Sequence, residues 1–195
     1  MSERIERFEI AGAPRLMVRL PAGELRVVAG APGEVLVRAR GGEPDIARLS
    51  ITCRGDTVEV EAERFGWGRW ATANVEIAVG AAPEVRARLA SGGLVLATAA
   101  REVDLSSASG DAAAGVVEGR LLARLASGDL VAEAVGSLDV VSASGDVRVG
   151  QVRGEGAVKT ASGDVSLGAV VGDLEVRTAS GDVRVGRWDG GRLDA

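Results

Sequence analysis

The sequence predicts an all-β fold: a single-chain β-solenoid, β-helix-like, with coils of about 18 residues that hold two short strands each. Three observations predict it. The string "ASGDVRVG" stands at 143–150 and again at 179–186, with "ASGDVSLG" between them at 161–168. Aligned on their serines, Ser91, Ser109, Ser127, Ser144, Ser162 and Ser180 all sit between an alanine and a glycine, at steps of 18, 18, 17, 18 and 18 residues. The residues on either side of each motif alternate apolar and polar, the period that sends successive side chains to opposite faces of a strand.

Residues 1–84 read as degenerate coils or a small β-sheet cap, continuous with the solenoid. "VRLPAGELRVV" (18–28) follows the outline of "VRTASGDVRVG" (176–186). "EVLVRAR", "RGDTVEVEAE" (54–63) and "NVEIAVG" are further strands, and Gly41 to Asp45 and Gly80 to Pro83 are turns. A cap is expected, because an open solenoid end exposes unpaired strand edges. "RFGWGRW" (64–70) departs from this plan: it carries three of the five aromatic residues of the chain with two arginines and two glycines. Either its aromatics close the end of the core, or Phe65, Trp67, Arg69 and Trp70 form a contact for a partner or a membrane surface, since aromatics and Arg dominate binding hot spots.

Residues 85–195 are the regular part. Three positions after each serine comes Leu94, Ala112, Leu130, Val147, Val165 or Val183, and five after comes Leu96, Ala114, Ala132, Val149, Leu167 or Val185. These are the inward pair. "LEVRTASGD" places Leu174, Val176 and Thr178 on one face upstream, with Glu175 and Arg177 on the other. "DAAAGVVEGRLLARLA" would pass for helix on propensity, but the repeat register puts Leu121, Ala123 and Leu125 on inward positions. A second glycine-rich turn closes each coil, at Gly150 to Gly154, Gly168 to Gly172 and Gly186 to Gly190. The short step falls near Gly136, inside that turn, where a deletion disturbs packing least. The handedness of the coil is not set by this pattern.

The turn between the strands is a structural ladder: Ser109-Gly110-Asp111, Ser127-Gly128-Asp129, Ser144-Gly145-Asp146, Ser162-Gly163-Asp164 and Ser180-Gly181-Asp182, with Gly93 replacing the acid in the first copy. Stacked in register, these aspartates lie about 5 Å apart, so their charges need compensation. Either each carboxylate accepts turn N–H groups, or the row binds cations. Calcium takes roughly six to eight oxygens, more than one Asp and one Ser per coil supply, and no metal or cofactor is assigned. Three positions before the serine, Arg88, Arg124, Lys159 and Arg177 form a second row, interrupted by Ser106 and Val141; it reads as a solvated outer face.

Composition narrows the chemistry. The chain has no histidine and one cysteine, Cys53, which removes Ser-His-Asp and Cys-His catalysis, histidine metal sites and a disulfide framework. Aspartates repeated by stacking are explained by architecture rather than by one reaction centre, so no catalytic residue is assigned and the chain is not expected to be an enzyme. Residues 1–90 carry 13 acids and 13 bases, and residues 91–195 carry 15 acids and 10 bases. An acidic repeat half argues against nucleic acid, whose affinity rests on cationic contacts. The opening "MSERIERFEI" does not read as a secretory signal, and no apolar stretch reaches the ~18 residues of a membrane helix, so a cytoplasmic location is expected.

The tandem "SASGDVRVG", "TASGDVSLG" and "TASGDVRVG", with the opening "LPAGELRVV", resemble the bacterial putative-adhesin repeats of a family of unknown function, the toastrack domain. The resemblance covers most of the chain and is strongest from Ser91 to Gly186. It implies a β-solenoid without established catalytic residues, one that often accompanies membrane-anchored envelope-stress modules as an assembly scaffold. The expected function is a non-enzymatic protein-interaction scaffold, its partner unspecified. Alternatives are self-assembly, peripheral membrane or envelope-stress association, and a secreted adhesin. Self-assembly would use the end near Trp188, where Leu193-Asp194-Ala195 repeats the place of Leu174-Glu175-Val176; Trp188 plugging that end is the competing expectation.

Overall fold

The computed structural model describes residues 2–65 and 69–194; for residues 64, 65, 69, 70 and 193 only the backbone is described. In chain order the elements are β1 (Ser2–Glu9), β2 (Arg15–Ala22), β3 (Leu25–Ala29), β4 (Glu34–Gly41), α1 (Glu43–Ile46), β5 (Leu49–Arg54), β6 (Thr57–Ala62), β7 (Arg64–Phe65), β8 (Arg69–Trp70), β9 (Ala73–Val79) and β10 (Glu84–Ser91). The regular part continues with β11 (Leu94–Leu96), β12 (Glu102–Ser109), β13 (Ala112–Ser127), β14 (Leu130–Ser144), β15 (Val147–Val152), β16 (Gly156–Ser162), β17 (Val165–Val170), β18 (Leu174–Ser180), β19 (Val183–Trp188) and β20 (Leu193–Asp194).

The coils stack by parallel pairing in full register. Ser91 pairs with Ser109, Ser109 with Ser127, Ser127 with Ser144, Ser144 with Ser162 and Ser162 with Ser180. The strands before the serines make one face of the solenoid, running β6, β2, β10, β12, the end of β13, the end of β14, β16, β18 and β20. The strands after the serines make the other, running β9, β3, β11, the start of β13, the start of β14, β15, β17 and β19. The chain is thus one β-solenoid, and the repeat recurs in sequence because each coil must present the same inward residues.

The inward columns are the core. Leu25, Leu94, Ala112, Leu130, Val147 and Val165 follow one another on successive rungs and are all buried, as are Val27, Leu96, Ala114, Ala132, Val149 and Leu167. On the first face Leu16, Val85, Val103, Leu121 and Leu138 stack likewise. After Val149 two consecutive residues, Gly150 and Gln151, face outward, and the parity change turns Val152 inward. Val135, Val152 and Val170 therefore form another buried column past the bend, which ends on Trp188.

The middle coils depart from two short strands each. β13 and β14 run unbroken through what the glycines mark as the second turn, because inter-coil hydrogen bonds continue round the bend, from Glu118 N–H to the Ala100 carbonyl and from Gly119 N–H to the Arg101 carbonyl. The register shifts after Val117, which pairs with Val135, and resumes at Arg120, which pairs with Ser137. The one-residue deletion therefore sits at Gly136 and is absorbed as a bulge.

The N-terminal region is part solenoid and part cap. β2 and β3 form a complete coil that stacks on β10 and β11, although Ser91 lies 70 residues beyond its hydrogen-bond partner Pro21. β6 and β9 form the coil before it. β5 then pairs antiparallel with β6, β4 with β9 and β1 with β4, which ends the parallel stack. The Arg4 guanidinium donates to the Leu49 carbonyl at 2.7 Å and ties the two outermost strands together. The turn expected from Gly41 to Asp45 is instead the start of α1, favoured by proline at its first positions and by Glu43 and Asp45 at its positive N-terminal end; Ile46 is buried there.

Candidate functional site

The corner between the two faces is where the sequence is most uniform, and the backbone explains why. Gly145 has φ +123°, and a β-carbon on it would fall on the carbonyl oxygen of Gly128 one coil below. The same close approach runs down the column from Gly92 over Gly23 to Gly181 over Gly163. Glycine is required because the turns nest backbone on backbone.

The aspartates then bond the turns together. Oδ1 of Asp111 accepts the N–H of Asp129 at 2.9 Å, Oδ1 of Asp129 that of Asp146 at 2.8 Å, Oδ1 of Asp146 that of Asp164 at 2.9 Å, and Oδ1 of Asp164 that of Asp182 at 2.8 Å. Each carboxylate satisfies a donor that the sharp turn removes from the strand ladder. Asn74 performs the same task two coils before the first Ala-Ser-Gly corner, accepting the Glu24 N–H at 2.9 Å. No Ser-Gly-Asp string marks it, and it was legible only as a residue in a strand. The serines add hydroxyl bonds to the coil below: Ser109 donates to the Ala90 carbonyl at 3.4 Å and Ser127 to the Ala108 carbonyl at 3.2 Å. In later coils the hydroxyl two residues earlier closes the turn locally, as in Thr160 to the Ser162 carbonyl at 3.0 Å.

Arginine supplies the compensation that stacked carboxylates need. Arg148 lies 2.6 Å from Asp146 and 3.8 Å from Asp129; Arg184 lies 2.6 Å from Asp182 and 3.7 Å from Asp164. The Asp164 N–H first, and then Arg148, hold the Asp146 carboxyl below the usual carboxylate range, outweighing its partial desolvation. A lowered folded-state value means that the charged form stabilises the fold above the unfolded value near about 3.9. That contribution fades as the pH falls through the lower folded value. The urea midpoint of the wild type is therefore expected to fall below about pH 4. Asp146→Asn should be the less stable protein at pH 7, with the gap narrowing in acid; a constant gap in paired denaturation curves would refute this assignment.

The arrangement is a hydrogen-bond zipper. Among the described residues no group of three or more Cys, Asp or Glu is placed to hold a metal ion. In the second row three of the four cations are ion-paired: Arg124 with Asp104 at 3.8 Å, Lys159 with Glu175 at 3.4 Å, and Arg177 with the same Glu175. A surface trough of about 560 Å³ over Ala157 is lined by such pairs, among them Arg120 and Asp139 at 2.5 Å. Trp188 packs against the core beyond Val170 and donates from Nε1 to the Gly172 carbonyl at 3.1 Å. No helix among the described residues is long and apolar enough to cross a membrane.

One corner breaks the pattern. The coil of β6 and β9 does not turn in the few residues used by the others; the chain leaves after Ala62 and returns at Thr72, which bridges to Ala22 of the next coil. The excursion is built on the antiparallel pair β7 and β8, with Arg64 opposite Trp70 and Phe65 opposite Arg69. A hairpin therefore stands at the head of the row of tight turns. Trp67, and the side chains of Phe65, Arg69 and Trp70, lie outside the described residues.

Solved structures share this architecture. A putative adhesin from Bacteroides fragilis matches with a TM-score of 0.59 at 11% identity, over 100% of this chain and 97% of that one. A putative lipid binding protein from Parabacteroides distasonis matches with a TM-score of 0.51 at 12% identity, over 99% and 96%. At these identities the likeness is one of fold. No curated protein matches the chain. The family model Toastrack DUF4097 matches residues 14–190, from the first strand of the complete N-terminal coil to just past Trp188. With the repeat, the parallel register and the solenoid all in agreement, the chain belongs to the Toastrack DUF4097 family.

Proposed function

We propose that the chain is a non-enzymatic scaffold that binds a protein partner through the hairpin between β6 and β9. The observation that carries the proposal is the excursion itself: in the row of corners that runs from Gly23 to Gly181, each turned tightly on a glycine, the corner between β6 and β9 is extended into a hairpin. Insertions in a stacked repeat fall on one side of the solenoid and serve as its binding elements. The inserted sequence holds Phe65, Trp67, Trp70 and two arginines, the residue types that concentrate binding energy at interfaces. The rest of the corner row is occupied by bonds between coils and has little left for a ligand. A single cysteine in the whole chain suits a reducing compartment, and we take the cytoplasm as the place of action.

Affinity capture from the native organism tests this, comparing wild type with a Trp67→Ala/Trp70→Ala variant of confirmed fold. The expected result is a defined set of proteins recovered by the wild type and lost from the variant. Recovery of the same partners by both forms would move the contact to another surface. Protease shaving of intact cells is the companion measurement: removal of the protein from the cell surface would favour the adhesin reading over a cytoplasmic scaffold.

A further inference from the structure

We infer that the first face of the solenoid carries an oxyanion site formed by Arg19, Arg86 and Arg88. β2 and β10 are neighbours in parallel register, with Arg19 directly opposite Arg88 and Met17 opposite Arg86. Arg86 and Arg88 both point outward from β10 and are exposed. Three guanidinium stems therefore rise from adjacent points on one sheet, about 5 Å apart across the strands and about 7 Å apart along one. Like charges directly opposite one another are unfavourable in a sheet.

The neighbouring cations show how this fold handles such charge. Arg15 is 3.2 Å from Glu84, Arg120 is 2.5 Å from Asp139, and Arg124 is 3.8 Å from Asp104. Arg19 reaches Glu61 at 3.4 Å. Arg86 and Arg88 have no carboxylate within ion-pair distance among the described residues. Asp104 stands on the rung next to Arg86, yet its carboxylate is held toward Arg124 on the far side.

Between these side chains is a depression of about 90 Å³, lined by Met17, Val18, Arg19, Arg86, Arg88 and Asp104. It has room for one tetrahedral oxyanion. Guanidinium groups present planar forks that match phosphate and sulfate oxygens in pairs. The site would thus take a phosphate-type group and relieve the repulsion between Arg19 and Arg88. The same group can arrive free in solution or as the headgroup of an anionic lipid.

Titration of the full-length protein with sodium phosphate, against sodium chloride at matched ionic strength, reads the site through the arginine Nε–H resonances. Flotation with vesicles of phosphatidylcholine alone, and of an equal mixture with phosphatidylglycerol, tests the headgroup source. The comparison is Arg86→Gln/Arg88→Gln against Arg54→Gln/Arg153→Gln, which removes the same charge at two other exposed positions. Saturable phosphate binding that weakens at least about tenfold in the first variant only assigns the site to a free oxyanion. Flotation with the anionic vesicles that is lost in the first variant only assigns it to a headgroup. Binding in neither arm, or equal loss in both variants, overturns the site.

Discussion

Gly145→Ala is expected to destabilise the protein by about 3 kcal/mol or more, a large share of the roughly 5–15 kcal/mol that holds a domain of ordinary stability together. The backbone at Gly145 has φ +123°, a region that costs a residue with a side chain roughly 1–3 kcal/mol. The new β-carbon would also fall on the Gly128 carbonyl oxygen. The rungs cannot part to admit it without breaking the bonds on either side, from Asp146 N–H to Asp129 Oδ1 and from Gly145 N–H to the Ser162 carbonyl. Gly55→Ala is the control. It has φ +59° with open space around the added carbon, so it bears conformational cost without the clash and should lose less. Urea or thermal denaturation of the two variants decides between them, and equal losses would mean that the turns are not nested as described.

Leu121→Ala should cost about 2–5 kcal/mol, and Leu122→Ala under about 1 kcal/mol. The two leucines are adjacent, but Leu121 is 1% exposed between Val103 and Leu138, while Leu122 is directed outward between Asp104 and Asp139. Removing Leu121 leaves a cavity in a narrow core whose neighbours are held in strands on both sides and cannot collapse into it. The pair reports on register, because a slip of one residue exchanges the two faces. Chemical denaturation that ranks Leu122 as the costlier loss would place this alanine-rich segment in a different register or a different fold.

The regular coils were legible because stacking imposes the same demand at the same position. Leu121, Ala123 and Leu125 fell inward on the repeat alone, against a helical propensity that pointed elsewhere. The place of the deletion at Gly136 followed from the short step. What lay hidden depends on contacts between distant parts of the chain. "VRLPAGELRVV" hinted at a coil, but nothing in it shows that β2 stacks on β10 after the β4 to β9 excursion. That single fact places Arg19 beside Arg88, and the charge cluster could not be seen without it. Asn74 carries no sequence signal for the same reason, since its role is defined by Glu24 on the next rung and not by its own neighbours in sequence. The Gly41 to Asp45 segment reads as a turn in sequence because glycine and proline mark both turns and helix starts, and four residues give no periodicity to separate them.

A spin-label distance between Arg26→Cys and Arg184→Cys, in a Cys53→Ser background, tests most directly that one continuous solenoid joins the N-terminal coil to the last full one. The two positions share an outward column through Val95, Ala113, Val131, Arg148 and Ser166. The expected result is a single narrow distribution centred near six rungs, roughly 29 Å between the attachment points. A broad or bimodal distribution, or a separation far from that value, would contradict it, because the N-terminal coil would then not be stacked in register on the repeats.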